Sequence, residues 1–258
     1  NPFFAKVFSG IEKEALLKGY NVITGISNES FEKEKQVMDM LNNGTIDGFI
    51  VAVAEETQAL KEHQHFKDII NSGTPIVMFD RVAETVNCDK VIVDDFESSF
   101  EATQHLLKLG SKNIALVSTI DNLSVGKLRV GGFKKAMEAS NLSLNNQLIV
   151  IENDIELFDN KLIELFNTKK VDAVFALDEH ASTMAMKFAL KKGIKIPEEL
   201  NIIGFADGVW SRRLTPSLST VSQHAPEIGA KAAELLIHKL NSKDEFYQPQ
   251  TVVIKTEL

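Results

Sequence analysis

The chain has 258 residues and a net charge of −8, with 28 Lys and Arg against 36 Asp and Glu; it lacks the basic stripe that follows a phosphate backbone, so these residues by themselves are not expected to bind DNA. Hydrophobic residues make up 44% and charged residues 25%, which excludes a disordered chain and suits either two lobes or one large α/β unit with a sizeable core. The single cysteine, Cys88, excludes an intrachain disulfide and a cysteine zinc site, and the apolar run from Phe49 to Ala54 is far too short to cross a bilayer.

Taken in chain order, the apolar spacing alternates between helix and strand periods. Phe4, Val7, Phe8, Ile11 and Ala15 recur at three and four, which predicts a helix with one buried face ending at Gly19. Asn21 to Ile26 is a short β-branched run and predicts a strand. A helix over 30–43 and a nearly all-apolar strand from Asp47 to Val53 follow, then a helix near 58–72, strands at Ile76 to Phe79 and Val91 to Val93, and a helix over 96–109. Further strands are predicted at 113–118, 147–151, 171–176, 201–205 and 218–222, most of them separated by amphipathic helices. Uninterrupted apolar strands alternating with helices imply parallel sheets covered on both faces, a doubly wound α/β architecture. Roughly ten strands are too many for one comfortable twisted sheet, which favours two.

Open parallel sheets bind ligands beyond the carboxyl ends of their strands. The residues there are Asp80 and Arg81 after one strand, Asp94 and Asp95 after another, and then Ser118 to Asn122, Asp178 and Glu179, and Asp207 to Trp210, with Arg129 one loop beyond a strand end. Carboxylates accept hydrogen bonds from hydroxyls, a planar guanidinium grips two adjacent oxygens, and an aromatic ring covers an apolar sugar face. The set suits a polyhydroxylated ligand.

In these residues the chain resembles the lactose-repressor/galactose-repressor regulators along its whole length. The resemblance rests on Asn1-Pro2-Phe3-Phe4, Asp47-Gly48-Phe49-Ile50, Phe79-Asp80-Arg81, His105-Leu106-Leu107 leading to Gly110, and Arg129-Val130-Gly131-Gly132-Phe133. It continues through Ile196-Pro197-Glu198-Glu199 to Ile203-Gly204-Phe205, and through Thr215-Pro216-Ser217-Leu218-Ser219-Thr220-Val221 to Gln223. Each motif is weak alone; their order and spacing together are specific. The resemblance implies a type I periplasmic-binding-protein-like core of two doubly wound lobes joined by three crossover strands, with a ligand in the cleft. The first lobe is expected over 1–94 plus 225–248 and the second over 95–224 plus 249–258. It also implies a cytoplasmic homodimer that answers a small-molecule effector and meets operator DNA only through an N-terminal helix-turn-helix. That head and the family's first strand, which precede Asn-Pro-Phe-Phe, are absent from these residues.

The resemblance assigns ligand contacts to individual positions, and each has a plainer alternative. Phe3 and Phe4 stand where the family places aromatics over its ligand, but Phe4 also belongs to the buried helix stripe. Arg129 matches the arginine that holds the effector. Asp80 matches a ligand contact, although it could instead form an ion pair with Arg81 or cap a loop. Asp178 stands where an amide is usual, and it could merely cap the next helix, as could Glu179. Asp207 follows Ala206, where the family usually carries an acid or amide, so one expected hydrogen bond to the ligand is missing. Trp210, the only tryptophan, could stack on a sugar or simply pack. Ile155 replaces a stacking aromatic. These departures fall among the positions that would choose the ligand.

An exported sugar receptor of a transporter shares the fold and is the alternative; Leu218 to Gln223 and Arg129 to Phe133 favour the regulator. No Gly-x-Ser-x-Gly elbow, Gly-x-Gly-x-x-Gly loop or Gly-x-x-x-x-Gly-Lys motif suggests an enzyme. No cofactor is expected, and His63 with His65 makes an unconvincing metal site.

Overall fold

The computed structural model describes residues 2–140, 142, 144–242 and 246–258, apart from the side chains of Val209 and Trp210. Its elements in chain order are α1 (Pro2–Leu17), α2 (Phe31–Leu41), β1 (Phe49–Val51), α3 (Glu55–Leu60), α4 (Gln64–Asn71), β2 (Ile76–Phe79) and β3 (Asp89–Val93), followed by α5 (Asp95–Lys108), β4 (Ile114–Ser118) and α6 (Ser124–Ala139). Next come β5 (Ile149–Ile151), α7 (Ile155–Thr168), β6 (Ala173–Ala176), α8 (Glu179–Lys191), β7 (Asn201–Phe205), α9 (Val209–Arg213), β8 (Ser219–Val221), α10 (Ala225–Asn241) and β9 (Thr251–Ile254).

The strands form two sheets among the described residues, in the orders β1-β2-β3-β9 and β5-β4-β6-β7-β8, and every ladder is parallel. The all-apolar strands behave as expected of strands covered on both faces: β2, β4 and β6 are buried throughout. The chain divides into Asn1–Val93 with His224–Ile254, and Asp94–Gln223 with Lys255–Leu258.

In the first unit α1 and α10 pack through two glycines. A Cβ at Gly10 would collide with the carbonyl of Pro226, and one at Gly229 with the carbonyl of Val7, so only hydrogen at both positions lets the backbones meet. In the second unit Gly132 does the same for α5 and α6, since a Cβ there would collide with the backbone of Phe96.

Three expectations need correction. Asn21 to Ile26 forms no ladder among the described residues; Ile23 and Ile26 are exposed. β-branched residues favour extended backbone, but a strand exists only where a neighbour takes its N–H and C=O groups. The helix expected near 58–72 is two helices, because Lys61 turns left-handed at φ 56° and ends α3. The C-terminal strand, expected in the second lobe, pairs with β3 from Lys90↔Thr251 to Val93↔Ile254 and so completes the first sheet. Only the residues after it return to the second unit, where Ser222 and Glu257 form an isolated antiparallel bridge.

Candidate functional site

The first unit gathers its chemistry beyond the ends of β1 and β2. Asp80 leaves β2 at φ 56°, a left-handed conformation that Asp tolerates better than most residues. Its N–H still bonds to Val91 O at 2.9 Å, while Val53 N–H reaches Arg81 O at 3.0 Å, so the turn is fixed from both neighbouring strands. Arg81 is 8% exposed and Asp80 9%. The Arg81 guanidinium lies 5.1 Å from the centre of the Phe4 ring; its Nη1 donates to Glu29 Oε2 at 2.6 Å, and its Nε is 3.8 Å from Asp80 Oδ2. Glu29 is itself left-handed at φ 62°, and its Oε2 also accepts from Glu55 N–H at 2.9 Å. Phe3 and Phe4 meet edge to face at 5.3 Å, as do Phe4 and Phe79 at 6.0 Å, and both are partly buried against the first unit's core. The ion pair and the core packing weighed above are therefore real contacts, and they bring Phe4, Asp80 and Arg81 into one cluster.

The second unit builds its cluster around Arg129, which is buried rather than solvated, at 3% exposure. Arg129, Gly132 and Phe133 share one face of α6 by their i, i+3, i+4 spacing. The glycine admits α5 to close contact, and Phe133 stacks on Phe175 at 6.3 Å. Arg129 is thereby set against the start of α5, where its Nε donates to Asp95 Oδ1 at 2.7 Å. Its Nη1 donates to Leu177 O at 2.7 Å, at the end of β6, and its guanidinium carbon lies 3.9 Å from the centre of the Phe205 ring. A planar cation stacked on an aromatic face and bonded along two edges has one orientation.

Asp178 is the N-cap of α8. Its Oδ1 accepts from Ala181 N–H at 2.8 Å, and its Oδ2 accepts from Thr119 N–H at 2.7 Å, which ties the end of β4 to that helix. Asp207 clasps the end of β8, its Oδ1 accepting from Ser222 Oγ at 2.6 Å and from Gln223 N–H at 3.1 Å. Ala206 is buried and carries no polar side chain, so it offers a ligand nothing beyond its backbone. Ile155 is exposed, and the side chain of Trp210 lies outside the described residues. Gln223 is buried, and its Nε2 has no hydrogen-bond partner among the described residues.

Sequence reading missed Glu29 altogether and saw Asp95 only as one of two acids at a strand end. A helix pattern or a motif shows which residues share a face, but not which distant carboxylate meets an arginine. Asp94, the other acid, accepts from Thr256 N–H at 2.9 Å and Lys255 Nζ at 3.1 Å. Burial pushes its carboxyl up, but the hydrogen bonds from Thr256 and Lys255 outweigh this and hold it below the ordinary value; the same contact raises Lys255. His65 is bonded to the buried Glu34 through Nε2 at 3.1 Å, and no group of three or more His, Cys, Asp or Glu able to hold a metal is present among the described residues.

With this geometry in hand, comparison with known proteins is specific. Residues 1–257 match the family described as periplasmic binding proteins and the sugar binding domain of the LacI family. The transcriptional repressor PurR of Haemophilus influenzae is 30% identical over 96% of this chain and 73% of its own length. Among solved structures, a complex of the transcriptional regulator CelR with cellobiose superposes with a TM-score of 0.85 at 20% identity, over 100% of this chain and 77% of that one. A periplasmic binding protein/LacI transcriptional regulator from Alkaliphilus metalliredigens, complexed with D-xylulofuranose, gives 0.82 at 23% identity over 100% and 92%. At these identities the two structures speak for the fold. Family match, fold and relatives agree: this chain belongs to the LacI family of transcription regulators and is its periplasmic-binding-protein-like effector-binding domain.

Proposed function

We propose that this domain senses a polyhydroxylated small molecule, a sugar or sugar derivative, and conveys its occupancy to a DNA-reading head that acts in the cytoplasm. The observation that carries this reading is Arg129: buried, stacked on Phe205 and bonded through Nε and Nη1. We assign Nη2 to the effector. Holding the guanidinium in place before the ligand arrives reduces the ordering cost of binding. The Phe4 and Arg81 cluster gives the first lobe's contacts, with Asp80 beside it. In the second lobe we assign Asp178 and Asp207 as hydroxyl acceptors, Gln223 Nε2 as a donor, and Trp210 as a stacking face. Cellobiose and D-xylulofuranose, the compounds named with two structural neighbours, are both polyhydroxylated. Relatives that are transcriptional repressors support the regulator over an exported receptor.

Occupancy would act on DNA binding only as far as the effector prefers one lobe arrangement to another. The head would be a helix-turn-helix, working as a homodimer. The first lobe leaves Leu16, Leu17, Ile26 and Met40 more than 60% exposed, which is apolar surface suited to a second copy. By contrast α4 spends Phe66 and Ile69 on its own core.

A thermal-shift screen of mono- and disaccharides, sugar phosphates and purine bases tests the reading. At least one compound should raise the melting temperature of the wild type and not that of Arg129→Lys. A silent panel, or a shift that survives Arg129→Lys, rejects it. Sedimentation of the wild type against Leu17→Asp tests the dimer.

A further inference from the structure

We infer that the effector is uncharged, and that this domain rejects the phosphorylated or carboxylated form of the compound it binds. The inference rests on the proposed assignment of Arg81 and of Arg129 to effector binding and concerns what each can still accept within its own lobe. Arginine at a ligand site is ordinarily the group that recruits phosphate or carboxylate. Here neither guanidinium carries an uncompensated charge. Arg129 Nε is 2.7 Å from Asp95 Oδ1, and the two side chains are only 4% and 3% exposed. Arg81 Nη1 is 2.6 Å from Glu29 Oε2, with Asp80 Oδ2 3.8 Å from its Nε.

The neighbouring acids push the same way. Asp178 and Asp207 each accept from two donors of their own lobe, so both are held in place. In the first cluster Glu29 and Asp80 outnumber the guanidinium of Arg81, and in the second Asp95 matches that of Arg129. An anion entering either one would meet a guanidinium already paired with a fixed carboxylate, and like-charge repulsion of that kind is how sites exclude wrong partners. A hydroxyl avoids the conflict, because it donates to a carboxylate and accepts from a guanidinium at once.

The test uses the whole 258-residue chain. Calorimetry compares D-ribose with ribose 5-phosphate, D-xylulose with xylulose 5-phosphate, D-glucose with glucose 6-phosphate, and guanosine with guanosine 5′-monophosphate. For any pair that binds, the uncharged member should be favoured by about 100-fold or more, the scale of a like-charge conflict. In parallel, inorganic phosphate is titrated at constant ionic strength while the Arg81 and Arg129 Nε–H resonances are followed by NMR. Phosphate should leave both unmoved in the wild type, move that of Arg129 in Asp95→Asn, and move that of Arg81 in Glu29→Gln. Because Glu29 is 46% exposed, the second variant remains informative if the first fails to fold. Equal or tighter binding of a phosphorylated member, or a phosphate-induced shift at either arginine in the wild type, overturns the inference. A panel in which neither member of any pair binds removes the effector reading instead, and the phosphate titration still decides the charge question.

Discussion

The two lobes carry the same device in two settings. Each places an arginine face over a phenylalanine ring and pairs it with a carboxylate, at 5.1 Å over Phe4 with Glu29 in the first lobe and at 3.9 Å over Phe205 with Asp95 in the second. They differ in what holds the partner. Asp95 opens a helix and is 3% exposed, whereas Glu29 lies on a loop and is 46% exposed. An ion pair withdrawn from water is hard to break because breaking it strands a charge, while an exposed pair is easily replaced by solvent. The second lobe's arginine should therefore behave as part of its core, and the first lobe's as an adjustable contact.

The largest test of this contrast is Arg129→Ala. It strands Asp95 and removes the bond to Leu177 O, and it should cost about 3–5 kcal/mol in chemical denaturation. A cost near that of Arg81→Ala would erase the distinction between the lobes. Gly132→Ala comes next. Its methyl would collide with the backbone of Phe96, and forcing α5 and α6 apart should cost about 1–3 kcal/mol and loosen Arg129 with it. A neutral result in denaturation would mean that the helices can part without disturbing the site. Asp178→Ala removes a cap and should cost about 0.5–2 kcal/mol; Asp178→Asn can keep the cap to Ala181 N–H but loses the acceptor for Thr119 N–H, and its cost in denaturation should be smaller. Arg81→Ala, whose partner Glu29 is 46% exposed, should cost less, roughly 1 kcal/mol from that ion pair.

How much of this was legible in sequence follows the same division. The alternating periods gave the two-sheet α/β plan because a buried parallel strand must be apolar throughout, as β2 and β6 are. Arg129 was readable because its motif contains the glycine and phenylalanine that place it on a buried face. Asp178 was readable as a cap because an acid before a helix has a local partner. Glu29 was not readable: it meets Arg81 across 52 residues of sequence, and only the fold brings them together. Asn21 to Ile26 misled because strand propensity is local while strand pairing is not, and β9 was assigned to the wrong lobe because nothing in a four-residue apolar run names its neighbour.

The smallest expected effect is a pH dependence at the last passage of the chain between the units, beside Asp94. Its carboxyl is held below the ordinary value by Thr256 and Lys255 against the upward push of burial. A depressed folded-state value means that the unfolded chain takes up the proton first as pH falls. The contact thus stabilises fully above the unfolded value, roughly 3.9, and its contribution is lost as pH drops through the lower folded value. Lys255 is 76% exposed, so solvent shares the pairing and the contribution should be small. Asp94→Asn should lower the melting temperature slightly at neutral pH and bring the two proteins together as pH falls through the depressed folded-state value, below which the wild-type carboxylate is also protonated. A difference that persists once the carboxylate is protonated would assign the role of Asp94 to its hydrogen bond from Thr256 N–H rather than to its charge.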